Sequence, residues 1–375
     1  MTPLTANRYK ALATAFLCSL VVVAPPNRQQ PGPPVGTRSA EPVDSVAGII
    51  EACRSHQVVA LGESHDNEQG HSVRLALVRD PRFPDVVNDI VVEFGNARYQ
   101  ELMDRFMAGA EIPQSSLQEV WQNTTQHAVW DSPIYEEFFR AVRDVNRSLP
   151  QTRRIRVLLG DPPIDWSAVK NPQDHWKWML ERDRFPAELV ERESIQRNRH
   201  ALLIFGDSHL QRRPIETNYS ESDNPRFNTL MSFLIRITPP PSVFVILVPT
   251  SIDLATIQPN IASWHAPVFA TTRGTVLGQA DFVSYFKSPP DRRSVKDGAL
   301  VSIERDEWRK LKMEEQFDAV LYLGPLPSLT TRGVSAALCS DPAYMHMREA
   351  RFATVNAQAG FEALKEYCAT ISVKK

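Results

Sequence analysis

Surplus charge of either sign is almost absent from this chain, and cysteine is scarce. Its 42 Lys and Arg residues nearly balance 44 Asp and Glu residues, for a formal net charge of −2, so no basic surplus points to nucleic acid. With 42% hydrophobic and 23% charged residues over 375 positions, the chain is neither disordered nor fibrous in composition and can bury a large core. We therefore expect a globular protein whose partner is a small molecule or a peptide.

One uncharged and mostly apolar run, residues 11–24, follows Arg8 and Lys10 at the N-terminus. It is too short to span a bilayer comfortably, and basic residues before an apolar run are typical of a secretory signal. We expect residues 1–24 to be a signal peptide or an N-terminal anchor. The protein is then exported, and it is either periplasmic or anchored to the membrane and facing away from the cytoplasm. Membrane contact is expected only through this segment, and the sequence does not indicate an oligomeric state.

Residues 25–43 are rich in Pro, Gly, Gln and Arg and lack apolar periodicity, which predicts a Pro-rich linker. Residues 44–375 are predicted to be a single domain with a helical C-terminal segment. The sequence contains four cysteines, of which Cys53, Cys339 and Cys368 lie beyond the signal. In an oxidising compartment Cys339 and Cys368 are expected to pair and leave Cys53 as a thiol, but three small buried cysteines fit the sequence equally well.

Short apolar runs alternate with longer amphipathic ones along the domain. The runs rich in Val, Ile, Leu and Phe are short enough to be strands covered on both faces, and they comprise 58–61, 90–94, 155–159, 201–205, 243–248 and 319–323. The helical candidates are 97–107, 117–127, 134–145, 173–199 and 305–316. This alternation predicts an α/β fold with a mainly parallel central sheet of about six strands and helices on both faces.

Two of these runs end in the same pattern, Gly62-Glu63-Ser64-His65 and Gly206-Asp207-Ser208-His209. Open α/β sheets hold their ligands at the carboxyl ends of the strands, so both imidazoles and both carboxylates are expected at one crevice. A neutral imidazole there can ligate a metal or accept a proton, and a nearby carboxylate can fix its tautomer. The duplicated pattern also predicts two pseudo-repeat halves, 58–171 and 172–325, although no extended self-similarity is present.

Glu93 lies inside the apolar run 90–94, where an unpaired charge is costly to bury. A metal ion, Arg74 or a catalytic histidine would each compensate it, and a purely structural salt bridge is the other reading. Arg74 follows His65 by nine residues on what reads as the first helix of the domain. It is expected to neutralise Glu93 or to stabilise an oxyanion, unless it is a solvated helix cation. His127 lies between two predicted helices, where a loop could cover a substrate.

Together these motifs resemble a superfamily that joins the ChaN haem-uptake proteins, the Tiki metalloproteases, TraB and the erythromycin esterases. The resemblance covers about residues 58–324, and the local match over 63–67 is most similar to the ChaN branch. Two Gly-x-x-His motifs with a Glu and an Arg between them form the active site of that superfamily. The resemblance therefore implies an active site made of His65, Arg74, Glu93 and His209.

The superfamily combines metal-dependent peptide hydrolysis, metal-free ester hydrolysis and haem or iron binding, so the resemblance implies three chemistries. Our leading expectation is an extracytoplasmic hydrolase that cleaves a peptide or ester bond with a divalent metal ion. His65 and His209 would hold the ion with Glu63 or Glu93, and Asp207 would be a further ligand. Arg74 would stabilise developing negative charge. In a metal-free variant, His65 acts as general base and is oriented by Glu93.

Two alternatives remain open at the level of sequence. A haem- or iron-binding uptake protein of ChaN type would need an axial ligand, for which Tyr99, Tyr135 and Tyr219 are candidates. A GDSL-like serine esterase would use Ser208 as its nucleophile. That family, however, places its motif near the N-terminus and ends with an Asp-x-x-His segment, and no such segment follows Ser208 here.

Overall fold

The computed structural model describes residues 38–212, 228–237, 239–282, 293–296, 299–302 and 311–372. The predicted signal segment 1–24 and positions 25–37 of the predicted linker lie outside these residues, as does Tyr219. Within the part of the chain that is described, no helix is both long and apolar enough to cross a bilayer.

Ten strands are described, and eight of them form one sheet in the order β1-β7-β10-β6-β2-β5-β3-β4, while β8 and β9 form a separate hairpin. The strands are β1 (Val43–Asp44), β2 (Val58–Glu63), β3 (Asp89–Asn96), β4 (Arg156–Asp161), β5 (Ala201–Gly206), β6 (Val243–Leu247), β7 (Val268–Thr271), β8 (Arg293–Lys296), β9 (Ala299–Ser302) and β10 (Ala319–Tyr322). The six strands from β10 to β4 are parallel and are the six predicted from the sequence. At the edge of the sheet, β7 and β1 add antiparallel pairs.

Thirteen α-helices are described along the chain. They are α1 (Ser45–Ser55), α2 (Glu68–Arg79), α3 (Gln100–Met107), α4 (Gln114–Gln122), α5 (Pro133–Ser148), α6 (Pro172–Met179), α7 (Arg184–Val190), α8 (Leu230–Leu234), α9 (Val276–Gln279), α10 (Met313–Gln316), α11 (Ala336–Cys339), α12 (Pro342–Thr354) and α13 (Gln358–Ser372).

Both faces of the sheet are covered, which explains why its strands read as continuous apolar runs. In β2, Leu61 belongs to a core that includes Leu77 of α2 and Phe138 of α5. The adjacent Ala60 belongs to the opposite core, which includes Val190 of α7. The predicted α/β class, with a mainly parallel sheet between two helical layers, is confirmed.

The strand order agrees with a duplicated architecture. The two strands that carry the Gly-acid-Ser-His turns, β2 and β5, pair with each other at the centre of the parallel sheet. The next strand after β2 is β3, which pairs with β5, and the next strand after β5 is β6, which pairs with β2. Each half of the chain therefore places its second strand beside the first strand of the other half, and the connections diverge at β2 and β5. Such a switch point leaves a crevice at the carboxyl ends of the strands.

Two predicted elements differ from the structure. The packed domain begins before residue 44, because Ala40 is buried and its N–H donates to the Gln258 Oε1 at 2.9 Å. The predicted helix 173–199 is broken into α6, α7 and a π-helix over Glu191–Ile195. The turn between α6 and α7 contains Arg182 and Asp183.

The helical C-terminal segment contains an internal disulfide and is fastened to the rest of the domain by a buried ion pair. Cys339 and Cys368 form a disulfide that joins α11 to α13, which is one of the two states left open by the sequence. Arg348 of α12 pairs with Asp131 where both side chains are fully buried, and the Tyr344 hydroxyl donates to the Asp131 Oδ2 at 2.6 Å. Since a buried charge without its partner is costly, this pair holds α12 against the loop that precedes α5.

Replacing Asp131 with Asn should lower the free energy of unfolding by about 3 kcal/mol, because the Arg348 guanidinium would stay buried without a counter-charge. Urea denaturation of both proteins measures the change. The matched control is Glu362→Gln, since Glu362 pairs with Lys365 on the surface of α13 at 2.9 Å, and its loss should cost less than about 0.5 kcal/mol. Equal effects of the two substitutions would contradict this account of α12.

Candidate functional site

The two Gly-acid-Ser-His turns meet above Gly206. In the register of β2 and β5, Glu63 lies opposite Gly206. A methyl group built on Gly206 would lie 3.5 Å from the Glu93 Oε2, 3.7 Å from the His65 Cε1 and 3.8 Å from the His209 Cδ2. Both imidazoles and the buried carboxylate thus line one small space, and glycine at this position keeps that space open.

His65 and Glu63 form the half of this site that is open to solvent. The His65 Nδ1 lies 2.6 Å from the Glu63 Oε2, and 40% of the His65 side chain is exposed, whereas Glu63 is buried. The His65 ring also meets the edge of Trp130, with 4.4 Å between the ring centroids. Burial acts to lower the pKa of His65, but the hydrogen bond and charge of Glu63, with Glu93 and Asp66, raise the pKa overall. Because Glu63 occupies Nδ1, Nε2 is the ring nitrogen left to meet a water or a substrate.

Glu63 is in turn held by a second layer of side chains. The Tyr135 hydroxyl lies 3.3 Å from the Glu63 Oε1 and accepts a hydrogen bond from the Asp66 N–H at 3.1 Å. Arg74 is buried and places its Nη1 3.7 Å from the Glu63 Oε1. The cation predicted to neutralise Glu93 or an oxyanion is therefore the counter-charge of Glu63, behind the His65 ring.

Glu93 lies in the other half of the site, among two cations. Its Oε1 contacts the Arg182 guanidinium and lies 3.3 Å from the His209 Nε2, while its Oε2 accepts from the Gly206 N–H at 2.7 Å. Burial alone would raise the pKa of Glu93, but His209, Arg182 and His65 hold that pKa well below its ordinary value. The buried carboxylate is ionised, and one of its partners is the histidine of the second motif.

His209 is held between two carboxylates and is a cation. Its Nδ1 lies 2.7 Å from the Asp183 Oδ1, which also accepts from the Leu230 N–H at 2.7 Å. Burial acts to lower the pKa of His209, but Asp183 and Glu93 raise it to about 10. The two motif histidines therefore differ: His65 is half-exposed with one carboxylate, and His209 is buried and charged at neutral pH.

Two further acids lie at the edge of the site. The Asp207 carboxylate packs against Gly62, where a methyl group would lie 2.0 Å from the Asp207 Oδ1 and would force that side chain to move. Burial raises the pKa of Asp207 to about 8. Burial also raises the pKa of Asp161 to about 7, although Asp161 accepts hydrogen bonds from the Thr125 N–H at 2.8 Å and the Thr125 hydroxyl at 2.5 Å.

The expected metal ligands do not form a divalent-ion site. No group of three His, Cys, Asp or Glu side chains among the described residues is arranged to hold a metal. The physical reason lies in the partners that these groups already have. Arg182 contacts Glu93 and places a guanidinium nitrogen 3.3 Å from the His209 Nε2, so a resident cation faces both predicted ligands. His65 and Glu63 share a hydrogen bond, and Asp207 packs against Gly62.

Three residues of the site, Arg182, Asp183 and Trp130, are not predicted from the sequence. Tyr135 is expected from the sequence only as an axial haem ligand, and in the structure its hydroxyl contacts Glu63 instead. Arg182 and Asp183 lie in a polar stretch that reads as one helix, and no motif singles them out. Trp130 follows a loop that begins where α4 ends at Gln122, five residues before the predicted helix end. Thr124 and Thr125 favour that ending. The Thr124 hydroxyl donates to the Gln126 carbonyl and the Thr125 hydroxyl to Asp161, and such side-chain hydrogen bonds compete with helical structure.

Comparison with known proteins confirms the resemblance to the superfamily. The family model described as haem-binding uptake, Tiki superfamily, ChaN matches residues 49–150, which include His65, Arg74 and Glu93. No curated protein matches the chain in sequence.

Several solved structures have a remotely similar architecture. The type III effector HopBA1 is 12% identical, with 77% of this chain and 98% of that chain covered and a TM-score of 0.37. ChaN of Campylobacter jejuni, described for cofacial haem binding, is 13% identical, with 57% and 93% covered and a TM-score of 0.35. A mutant of the erythromycin esterase EreC in its open conformation is 12% identical, with 76% and 94% covered and a TM-score of 0.46.

Replacing Asp183 with Asn should lower the pKa of His209 from about 10 towards its ordinary value of 6.5, because the neutral amide no longer stabilises the imidazolium. The pH dependence of the His209 ring signals in NMR measures the shift, with His209→Gln identifying those signals. Asp144→Asn, at an exposed position of α5, is the control and should leave the titration unchanged.

The same pKa gives a stability prediction with a defined sign. Because the folded-state pKa of His209 lies above the unfolded value near 6.5, its ion pairs stabilise the fold fully below pH 6.5. This contribution is lost as the pH rises towards 10.

An unchanged His209 titration in Asp183→Asn would contradict the assignment of Asp183 as its partner.

Proposed function

We propose that the protein is a metal-independent hydrolase that cleaves a carboxylic ester, with His65 as its general base. The observation that carries this proposal is the 2.6 Å contact between the His65 Nδ1 and Glu63, which leaves the Nε2 of a half-exposed ring free. Two cations, Arg182 and His209, contact the neighbouring Glu93. A histidine whose outer nitrogen is free and whose inner nitrogen is fixed by a carboxylate suits proton transfer near neutral pH.

In the proposed reaction, the His65 Nε2 removes a proton from a water as that water attacks the ester carbonyl carbon. Glu63 stabilises the resulting imidazolium, and Arg74 and Tyr135 hold Glu63 in place. Negative charge develops on the carbonyl oxygen, and the Arg182 guanidinium and the His209 imidazolium are the cations nearest to it. When the tetrahedral intermediate collapses, the carbon–oxygen bond to the leaving group breaks and His65 returns the proton to the alkoxide.

Arg182 is the reason to propose a metal-independent reaction instead of the metal-dependent one expected from the sequence. A divalent ion held by His209 and Glu93 would have to displace the guanidinium that contacts both. The guanidinium already provides a fixed positive charge, so the site has a means of stabilising an oxyanion without a metal. The general base is oriented by Glu63, since Glu93 pairs with Arg182 and His209.

The proposal includes export of the protein. It is supported by the basic and apolar pattern at residues 8–24 and by the Cys339–Cys368 disulfide, because disulfides persist mainly outside the cytoplasm.

Haem binding is the second candidate function, and the family model matched over residues 49–150 favours it. The described tyrosine candidates fit an axial role poorly. Tyr135 is buried beside Glu63 and Asp66, and the Tyr99 hydroxyl lies 2.6 Å from the Asn123 Nδ2. Titration with haemin separates the candidates, because a saturable shift of the Soret band would favour haem binding, and hydrolysis of p-nitrophenyl esters without such a shift favours the hydrolase.

Substitution of His65 by Ala should lower kcat/KM for p-nitrophenyl butyrate by about 10³-fold, because the general base is lost. Ser208→Ala should retain near wild-type activity, since Ser208 is exposed and has no role in the proposed reaction. Activity should also survive dialysis against EDTA. Loss of activity in Ser208→Ala with activity retained in His65→Ala would favour the serine mechanism, and loss on dialysis that a divalent ion restores would favour the metal mechanism.

The pH profile offers an independent check on His65. Catalysis requires the neutral ring, so kcat/KM should rise with pH through an apparent pKa above 6.5, the direction in which Glu63 shifts His65. In Glu63→Gln the acid limb should move to lower pH, because the charge that raises the pKa is removed. The control Glu101→Gln, on the exposed side of α3, should leave the profile in place. An acid limb that does not move in Glu63→Gln would show that another group sets it.

A further inference from the structure

A cavity of about 500 Å³ lies next to the turn that carries His65. One wall is formed by Asp66 and by residues 127–129, and the other by Thr331, Gly333, Val334 and the helices α12 and α13. This volume is in the range of pockets that bind small ligands. No group in the proposed reaction lies in the cavity, so its lining has no role yet.

We propose that this cavity binds the neutral, apolar part of the ester substrate and thereby selects the substrate by the size of that part. The inference deepens the proposed function and rests on it. It commits to a substrate class: esters with an uncharged hydrocarbon body large enough to fill the cavity.

The position of the cavity relative to the reacting groups is the first support. Asp66 lines the cavity and follows His65 directly in the chain, and the charge of His65 acts to lower the pKa of Asp66. The cavity therefore reaches to within one residue of the general base. The loop after α4 contacts the site at both of its ends. With its amide oxygen facing Arg182, Gln126 accepts from the Arg182 Nη1 at 2.8 Å, and Trp130 packs on His65. Residues 127–129, between those two contacts, line the cavity.

The lining defines the chemistry of the ligand. Val129, Val334, Phe352 and Leu364 give the cavity apolar walls. Two side chains of the lining have a buried polar atom that lacks a hydrogen-bond partner among the described residues. These atoms are the Asp66 Oδ1 and the His127 Nδ1.

The charge of the cavity favours a neutral ligand. Burial, with the nearby His175, Arg348 and Arg351, lowers the pKa of His127 to about 4, so this ring is neutral at pH 7 and offers no counter-charge to an anion. Arg348 and Arg351 are already bonded, Arg348 to Asp131 and both of them to the Gln122 carbonyl. A hydrocarbon body therefore finds apolar walls, and a carboxylate would find no free cation in them.

Two contacts restrain the C-terminal wall of the cavity. Phe352 of α12 packs so closely on Gly360 of α13 that a methyl group there would lie 2.4 Å from the Phe352 ring. The Cys339–Cys368 disulfide fixes α13 four residues beyond Leu364. A wall restrained at both points cannot move away from an oversized group without breaking these contacts.

The test uses the full chain and the variant Val334→Trp, which should fill the cavity. The matched control is Ala337→Trp, which adds the same side chain at an exposed position three residues away. Binding is measured first, by the fluorescence of N-phenyl-1-naphthylamine, a neutral apolar probe, in protein carrying His65→Ala. The probe should bind saturably, Val334→Trp should weaken binding about tenfold, and Ala337→Trp should leave it unchanged.

Selectivity is measured second, in protein with His65 intact. The ratio of kcat/KM for p-nitrophenyl decanoate to that for p-nitrophenyl acetate should fall about tenfold in Val334→Trp and stay at the wild-type value in Ala337→Trp. Leu364→Ala, which enlarges the cavity, should shift the preferred acyl chain to a longer one. This second variant tests the same inference if Val334→Trp does not fold.

The outcomes separate the cavity from the reaction. The inference would be overturned if the probe bound equally well to both Trp variants. It would also be overturned if neither Val334→Trp nor Leu364→Ala changed the ratio of kcat/KM for the two esters. Cavity-dependent probe binding without hydrolysis of any ester would keep the cavity as a ligand site and overturn the proposed hydrolase.

Discussion

A carboxylate buried near the carboxyl end of a parallel strand is the constraint on which the site depends. Glu93 lies on β3, between helical layers that exclude water, and its charge is tolerated only because Arg182, His209 and the Gly206 N–H surround it. Each partner makes a demand on the fold. Arg182 reaches Glu93 from the turn between α6 and α7, so the chain must break its helix there. His209 reaches Glu93 from the turn after β5, and the Gly206 contact requires β5 to pair with β3.

The surroundings of the two motif histidines explain why one sequence pattern has two chemical roles. His65 has a single carboxylate partner and a half-exposed ring, which suits a group that gains and loses a proton. His209 is buried between Asp183 and Glu93 and keeps its proton. The repeated turn thus places a half-exposed imidazole on one side and a buried imidazolium on the other, a difference that neither four-residue motif reveals.

The sequence predicts the parts of the molecule that are governed by local pattern. The six parallel strands are continuous apolar runs because both of their faces are buried, and the convergence of His65, His209 and Glu93 follows from strand ends sharing one edge of a sheet. Strand β7, which lies between β1 and β10, is only four residues long, Val268–Thr271, and has no such signal. Arg182 and Asp183 could not be found because their positions depend on a break in a polar helix, and their partners, Glu93 and His209, are distant in the sequence. The sequence also does not decide the partner of Arg74, because two acids, Glu63 and Glu93, lie near the ends of strands that flank the same site.

The exchange of strands between the two halves also governs the order in which the chain can acquire structure. Strands β2 and β3 are made early, yet both pair with β5, which is more than a hundred residues further along. A nascent chain that ends before residue 201 lacks the strand that joins them, and closing so long a loop is slow. The first half of the domain therefore cannot close its part of the sheet until β5 has been synthesised.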